Sequence, residues 1–181
     1  MRRTIRRTGL VVVAALAVVL APAVGAAAAE RPDFSGTFKL DLKASDSLDE
    51  LLKAHGASWA ERKAAGSVVV TQIVRHRGDV LEIQVKSSFK SRKDVIRIGA
   101  GWEERETEMG KGRARTDWDA DGTTLVTRME VKSKKGEAGE MIMRRSLTDE
   151  GKTTVQALEL KGKDGKTYRA RRILRRVPEK K

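Results

Sequence analysis

Ser45 to Gly66 reads SDSLDELLKAHGASWAERKAAG. Ser47 with Glu50, and Ser58 with Glu61, have the spacing of capping boxes. In that arrangement a serine hydroxyl accepts from the third helical N–H and the glutamate reaches back to the serine N–H. Leu48, Leu51 and Leu52 fall at i, i+3 and i+4, one apolar stripe of a helix. Gly56 and Gly66 stand where glycines end helices. The stretch predicts two short helices joined by a turn. Almost everything after it predicts strand.

Past Glu30 the turn punctuation is regular. Strand-like runs fall at Thr37–Lys43, Val68–Val74, Val80–Phe89, Val95–Ile98, Trp102–Glu108, Arg113–Trp118, Thr124–Val131, Glu140–Leu147, Thr153–Leu160 and Tyr168–Val177. Between them lie RGD, GAG, GKG, DADG, KKG, TDEG and KGKDGK, rich in the Gly and Asp that tight turns need. The period within the runs is two. Leu81, Ile83, Val85, Ser87 and Phe89 share one face, and Glu82, Gln84 and Lys86 the other. Met141, Met143, Arg145 and Leu147 likewise alternate with Ile142, Arg144 and Ser146. No proline interrupts the chain between Pro32 and Pro178, so every run is free to pair. Short strands at hairpin spacing predict an all-β, antiparallel meander curled into a barrel, with a helical pair between its first and second strands.

The 181 residues include no cysteine, which excludes a disulfide framework, a thiolate nucleophile and a cysteine metal site. MRRTIRR followed by GLVVVAALAVVLAPAVGA is a basic segment, an apolar run and a small-residue exit. That pattern predicts a signal peptide over residues 1–28, on the general secretory route rather than the twin-arginine one. A retained membrane anchor is the alternative. The Ala- and Arg-rich style points to a bacterium, hence to a periplasmic or extracellular protein. The formal charge of +13, less the four arginines of the leader, leaves +9 on the remainder. An exported basic domain meets anionic lipids, fatty acids or polyanions. Nucleic acid is a poor partner, because single-strand stacking platforms need aromatics, which are only 4% of the chain, and the basic residues are spread along alternating strands as on solvated outer faces.

Several segments together resemble a family. Phe34-Ser35-Gly36-Thr37-Phe38-Lys39-Leu40, the helical stretch ending Arg62-Lys63-Ala64-Ala65-Gly66, GDVLEIQVKSSFK from Gly78 to Lys90, IRIGAGWEE, DGTTLV and the closing RARRILRRV follow the order and spacing of the intracellular lipid-binding proteins. These are the fatty-acid-binding and cellular retinoid-binding proteins of the calycin superfamily. The resemblance spans residues 33–177. It implies a ten-stranded up-and-down β-barrel whose helical pair is a lid, with room for one ligand. It also implies a carboxylate site of two arginines and a tyrosine. Arg145 matches the first arginine, Arg172 the second, and Leu174 stands at the tyrosine, so one donor is missing. Leu48 takes the family's portal-helix Phe position. Phe89, Ile96, Met143 and Val155 fall on inward positions, with Ser87 on the face of Phe89. Asp94 takes an inward place usually apolar, where it would pair with an arginine.

The expected function is non-enzymatic carriage of one hydrophobic, anionic ligand by a monomer, with transient contact with anionic membranes and no cofactor. The alternative is a filled barrel serving as an envelope structural or interaction module. His55 and His76 are far apart and read as structural residues. No set of residues has metal spacing or forms a nucleophile elbow. Asp119-Ala120-Asp121-Gly122 reads as a turn, and Trp59, Trp102 and Trp118 as core or lid aromatics.

Overall fold

The computed structural model describes residues 31–88, 90–107, 110–132, 138–162 and 164–178. Among them are ten strands and two helices: β1 Gly36–Leu40, α1 Asp49–Ala54, α2 Trp59–Ser67, β2 Val70–Arg77, β3 Val80–Ser87, β4 Ser91–Arg97, β5 Glu103–Thr107, β6 Gly110–Trp118, β7 Leu125–Lys132, β8 Ala138–Thr148, β9 Thr153–Lys161 and β10 Thr167–Arg176. The strands form one sheet in the order β4-β3-β2-β1-β10-β9-β8-β7-β6-β5. Each neighbour is antiparallel, and the first strand pairs with the last, Leu40 opposite Leu174.

The sheet curls, but β4 and β5 remain its two edges. No ladder joins them; side chains do. Arg105 on β5 donates to the Asp94 carboxylate and to the Val95 carbonyl on β4, the latter at 2.6 Å. Arg97 donates to Glu103 at 2.9 Å. These bonds cover edges that would otherwise invite pairing with another chain.

The helices sit at one end. Leu51 of α1 is buried against Met129, Met141 and Leu160, so α1 plugs that mouth. Ser58 and Glu61 form a complete capping box on α2. Ser47 forms none: its hydroxyl accepts only from Asp49 N–H, and Leu48 is the N-cap of α1. The reason is tertiary. Asp46 is tied to β10 through Arg171 in both directions, so the chain enters α1 from the barrel wall. Gly66 lies within α2 rather than past it, because Val68 N–H still reaches the Ala64 carbonyl. Helix α2 buries no side chain and is held to α1 by Arg62–Asp49 at 2.8 Å. The other corrections are local. Gly110-Lys111-Gly112 opens β6 instead of forming a turn. Trp59 is 66% exposed with Lys63 over its ring, and Trp102 lies on the outside beneath Arg113 and Arg115. Trp118 does pack inward, with Phe34 and His76 at the far end of the barrel.

Candidate functional site: a polar layer inside the barrel

Two apolar clusters fill the ends of the interior. One centres on Phe34, Phe38, Leu81, Ile96, Leu125 and Leu174, and the other on Leu51, Met129, Met141 and Leu160. Along β6, β7, β8 and β10 the inward residue between the clusters is polar: Thr116, Thr127, Arg145 and Arg172. Gln156 takes the same place on β9, between Thr154 and Leu158. Side chains alternate across a strand, so directly opposed residues share a face. Arg145 opposes Gln156, and Gln156 opposes Arg172. The three form a row across β8, β9 and β10. From the other side of the barrel come Gln72 on β2 and Arg92 on β4.

The electrostatics of this layer are unbalanced. Arg145 is 4% exposed. Its Nη1 donates to Gln72 Oε1 at 3.1 Å, and Gln156 Nε2 donates to the same oxygen at 3.1 Å. With the Gln156 amide turned over, its oxygen lies 2.7 Å from Arg145 Nη2, an orientation assigned from the network. In either orientation the hydrogen-bond partners of Arg145 are neutral amides. Burial pushes its guanidinium down to about 10, with Asp94 opposing the shift from a distance. It is still a cation at neutral pH. Arg172 is also buried, and its Nη1 donates only to the Asp46 backbone carbonyl at 3.3 Å. Burial lowers it, and the nearby Asp46 charge raises it. Arg92 Nε is buried with no hydrogen-bond partner. The one inward carboxylate beside these cations, Asp94, pairs with Arg105.

Open space adjoins the layer. A cavity of about 190 Å³ is lined by Arg92, Ile96, Thr116, Met129, Met141 and Met143, with Asp94 and Arg105 at its side. A second, of about 260 Å³, is lined by Leu40, Leu48, Val70, Gln72, Ser87, Gln156, Arg172 and Leu174. Arg92 belongs to both. Each is somewhat smaller than a small-molecule pocket of roughly 300–1,000 Å³, and the Arg92 side chain stands between them.

The structure therefore gathers Arg145, Arg172, Leu174, Leu48, Ser87, Ile96 and Met143 around one interior. It does not bring Val155 there. Val155 opposes Ser146 and Ile173 on the outer face, because Thr154, Gln156, Leu158 and Leu160 hold the inward phase of β9. Phe89 lies outside the described residues. Asp94 pairs with Arg105 rather than with Arg145 or Arg172. Gln72, Gln156, Arg92 and Arg105 were not singled out from the sequence. Stepping by two from Ile98 and Ile96 reaches Asp94 and Arg92, and from Val74 reaches Gln72, so the signal was present. Among the described residues no three His, Cys, Asp or Glu side chains form a group that could hold a metal ion, and no helix is long and apolar enough to cross a membrane.

No protein-family model matches the chain. Human cellular retinoic acid-binding protein 1 is 31% identical over 90 residues, which cover 49% of this chain and 64% of that protein. The mouse protein of the same name matches to the same extent. The chain thus spans somewhat less than two thirds of these relatives. Among solved structures, a REP1-NXSQ fatty acid transporter superposes with a TM-score of 0.65 at 23% identity, covering 81% of this chain and 97% of that one. A Schistosoma mansoni fatty acid binding protein in complex with arachidonic acid gives 0.64 at 20% identity, covering 80% and 96%. At such identities these two establish shared architecture. The chain is homologous to cellular retinoic acid-binding protein over the matched segment, and its ten strands and two helices have the fold of the fatty-acid-binding proteins.

Proposed function

We propose that this barrel binds one hydrophobic ligand with an anionic head, without catalysing a reaction. The observation that carries the proposal is the row Arg145–Gln156–Arg172, two buried guanidiniums with no carboxylate bonded to either. An unpaired buried charge costs several kcal/mol, and an anionic head supplies the missing partner. The tail takes the apolar walls of Ile96, Met129, Met141 and Met143 on one side and Leu40, Leu48, Val70 and Leu174 on the other. The two cavities speak against a filled barrel. The relatives support the ligand class, since they are a retinoic acid-binding protein, a fatty acid transporter and a fatty acid binding protein in complex with arachidonic acid.

About 14 methylenes at about 0.8 kcal/mol each contribute about 11 kcal/mol. Immobilisation offsets several of these, which leaves a dissociation constant near micromolar. The test is calorimetric titration of the delipidated protein with oleate and with oleyl alcohol. Micromolar binding of oleate and much weaker binding of the alcohol is the expected result. Equal binding of both removes the headgroup site, and binding of neither sinks the proposal. We further place the protein outside the cytoplasm, on the strength of the leader pattern in residues 1–28. Fractionation with N-terminal sequencing checks this, and a leader retained on cytosolic protein refutes it. The positive charge favours brief docking on anionic membranes; salt-sensitive co-sedimentation with anionic but not neutral vesicles is the expected readout.

A further inference from the structure

The interior holds more positive charge than one carboxylate can match. Arg92, Arg145 and Arg172 all point into the barrel, and none has a carboxylate hydrogen-bond partner. The cavity of about 260 Å³ is lined by Arg92 and Arg172, with the exposed Lys90 at its edge, and by no carboxylate at all. Gln72 and Gln156, which line the same cavity, are the residues that hold Arg145. Asp94, the one carboxylate on the neighbouring cavity, is taken by Arg105. Adjacent strands are about 4.8 Å apart, so Arg145 and Arg172, one strand to either side of Gln156, originate within about 10 Å of each other. Arg92 faces them from β4.

We infer that the preferred headgroup is a dianion, and specifically a phosphate monoester carrying a single aliphatic tail. This deepens the binding reading above and rests on it. A phosphate monoester carries about 1.5–2 negative charges at neutral pH and three acceptor oxygens. A carboxylate carries one charge and two oxygens, so it satisfies one guanidinium fully and leaves the others short. The planar guanidinium fork matches phosphate oxygens two at a time. Two such forks, Arg92 from β4 and Arg172 from β10, line the same cavity, with the Arg145 charge behind its Gln72 and Gln156 wall, and this set suits a dianionic tetrahedral head better than a planar monoanion. The missing phenol fits the same picture. Leu174 is 1% exposed and offers no hydroxyl, so recognition falls to the guanidiniums and the two amides.

The test is a competition series on the delipidated full chain with tetradecyl phosphate, myristate, tetradecanol and inorganic phosphate. Tetradecyl phosphate is expected to bind at least about tenfold tighter than myristate, since each further hydrogen bond between charged partners is worth at least that factor. Tetradecanol is expected to trail both. Inorganic phosphate at millimolar concentration is expected not to displace the tailed ligands; displacement would mean a free-phosphate site and overturn the proposal. Arg92→Gln should lower the ratio of tetradecyl phosphate to myristate affinity by about tenfold, and Arg172→Gln is the second variant should the first fold poorly. Arg144→Gln, on the exposed outer face of β8, should leave the ratio unchanged. Myristate binding as tightly as tetradecyl phosphate overturns this inference while leaving the binding function intact. Failure of every tailed ligand overturns both.

Discussion

Arg145→Met should make the empty protein more stable and the ligand weaker. Arg145 is fully enclosed, and its guanidinium falls from its ordinary value to about 10 on burial. At about 1.36 kcal/mol per tenfold change in proton affinity, that corresponds to roughly 3 kcal/mol of cost in holding the charge there. Its hydrogen bond to Gln72 returns about 1.5 kcal/mol. With the arginine gone, Gln156 is free to present its Nε2 to Gln72 Oε1, 3.1 Å away, so no amide is orphaned. Methionine fills the space flexibly beside Met143 and Leu147, its inward neighbours on β8. The net gain is about 1–2 kcal/mol, or a few °C in Tm for a domain of this size. Oleate should meanwhile bind about ten- to a hundredfold more weakly, through loss of a charge-assisted bond. Thermal melts and calorimetry on delipidated protein read both effects. A variant that melts lower than the parent and still binds oleate normally would refute the reasoning, because Arg145 would then be a structural cross-link rather than a waiting cation.

Other perturbations test the frame around the site. Glu103 is held below its usual value near 4.5, chiefly by the hydrogen bond from Arg97, with Arg105 adding to it against a smaller effect of burial. A depressed carboxyl contributes stability above its unfolded value and loses it as pH falls. Hydrogen-exchange protection at β4 and β5, corrected for the intrinsic exchange rate, should therefore decline as the pH falls below about 4.5, and Glu103→Gln should remove that step. Ser58→Ala should cost α2 about 1 kcal/mol; since α2 buries no side chain, the loss should appear as faster proteolysis within Trp59–Ser67 and hardly in Tm. Gly36→Ala should cost about 1–3 kcal/mol, because Gly36 has φ +139° and an added Cβ would collide with the Arg176 guanidinium.

The strands were legible in the sequence because alternation is a local signal. Each of the ten runs read from the period of two corresponds to one of β1–β10. What local reading missed was decided at a distance. β1 ends at Leu40 because Ile173 N–H donates to the Ser45 hydroxyl instead of to the Asp41 carbonyl, and the Asp41 carboxylate takes the N–H groups of Lys43 and Ala44. Ser47 failed as a cap because Asp46 is bound to β10. The open seam between β4 and β5 left no trace in the pattern either. Hairpin spacing says which strands pair in sequence order, but not that one consecutive pair is replaced by Arg105–Asp94 and Arg97–Glu103.

The site was legible only where an arginine interrupted an apolar face. Arg145 between Met143 and Leu147 stands out in that way. Thr127 between Leu125 and Met129 reads as an ordinary strand residue, and Val155 looks like a better inward residue than Gln156. Hydrophobicity chose wrongly on β9 because it weighed residues singly, whereas the phase of a strand is set by the whole run, here by Leu158 and Leu160. Three of the four site residues passed over, Gln156, Arg92 and Gln72, fall on the layer between the two apolar clusters, and the fourth, Arg105, lies on the β5 edge beside it. With leucine at Arg145, Arg172 and Gln156 those clusters would merge into one continuous core. The polar layer keeps them apart, leaves space beside them and holds cations that the protein itself does not neutralise. Along β2, β4 and β9 local consistency gives way at this layer, and the proposed anionic ligand accounts for that departure.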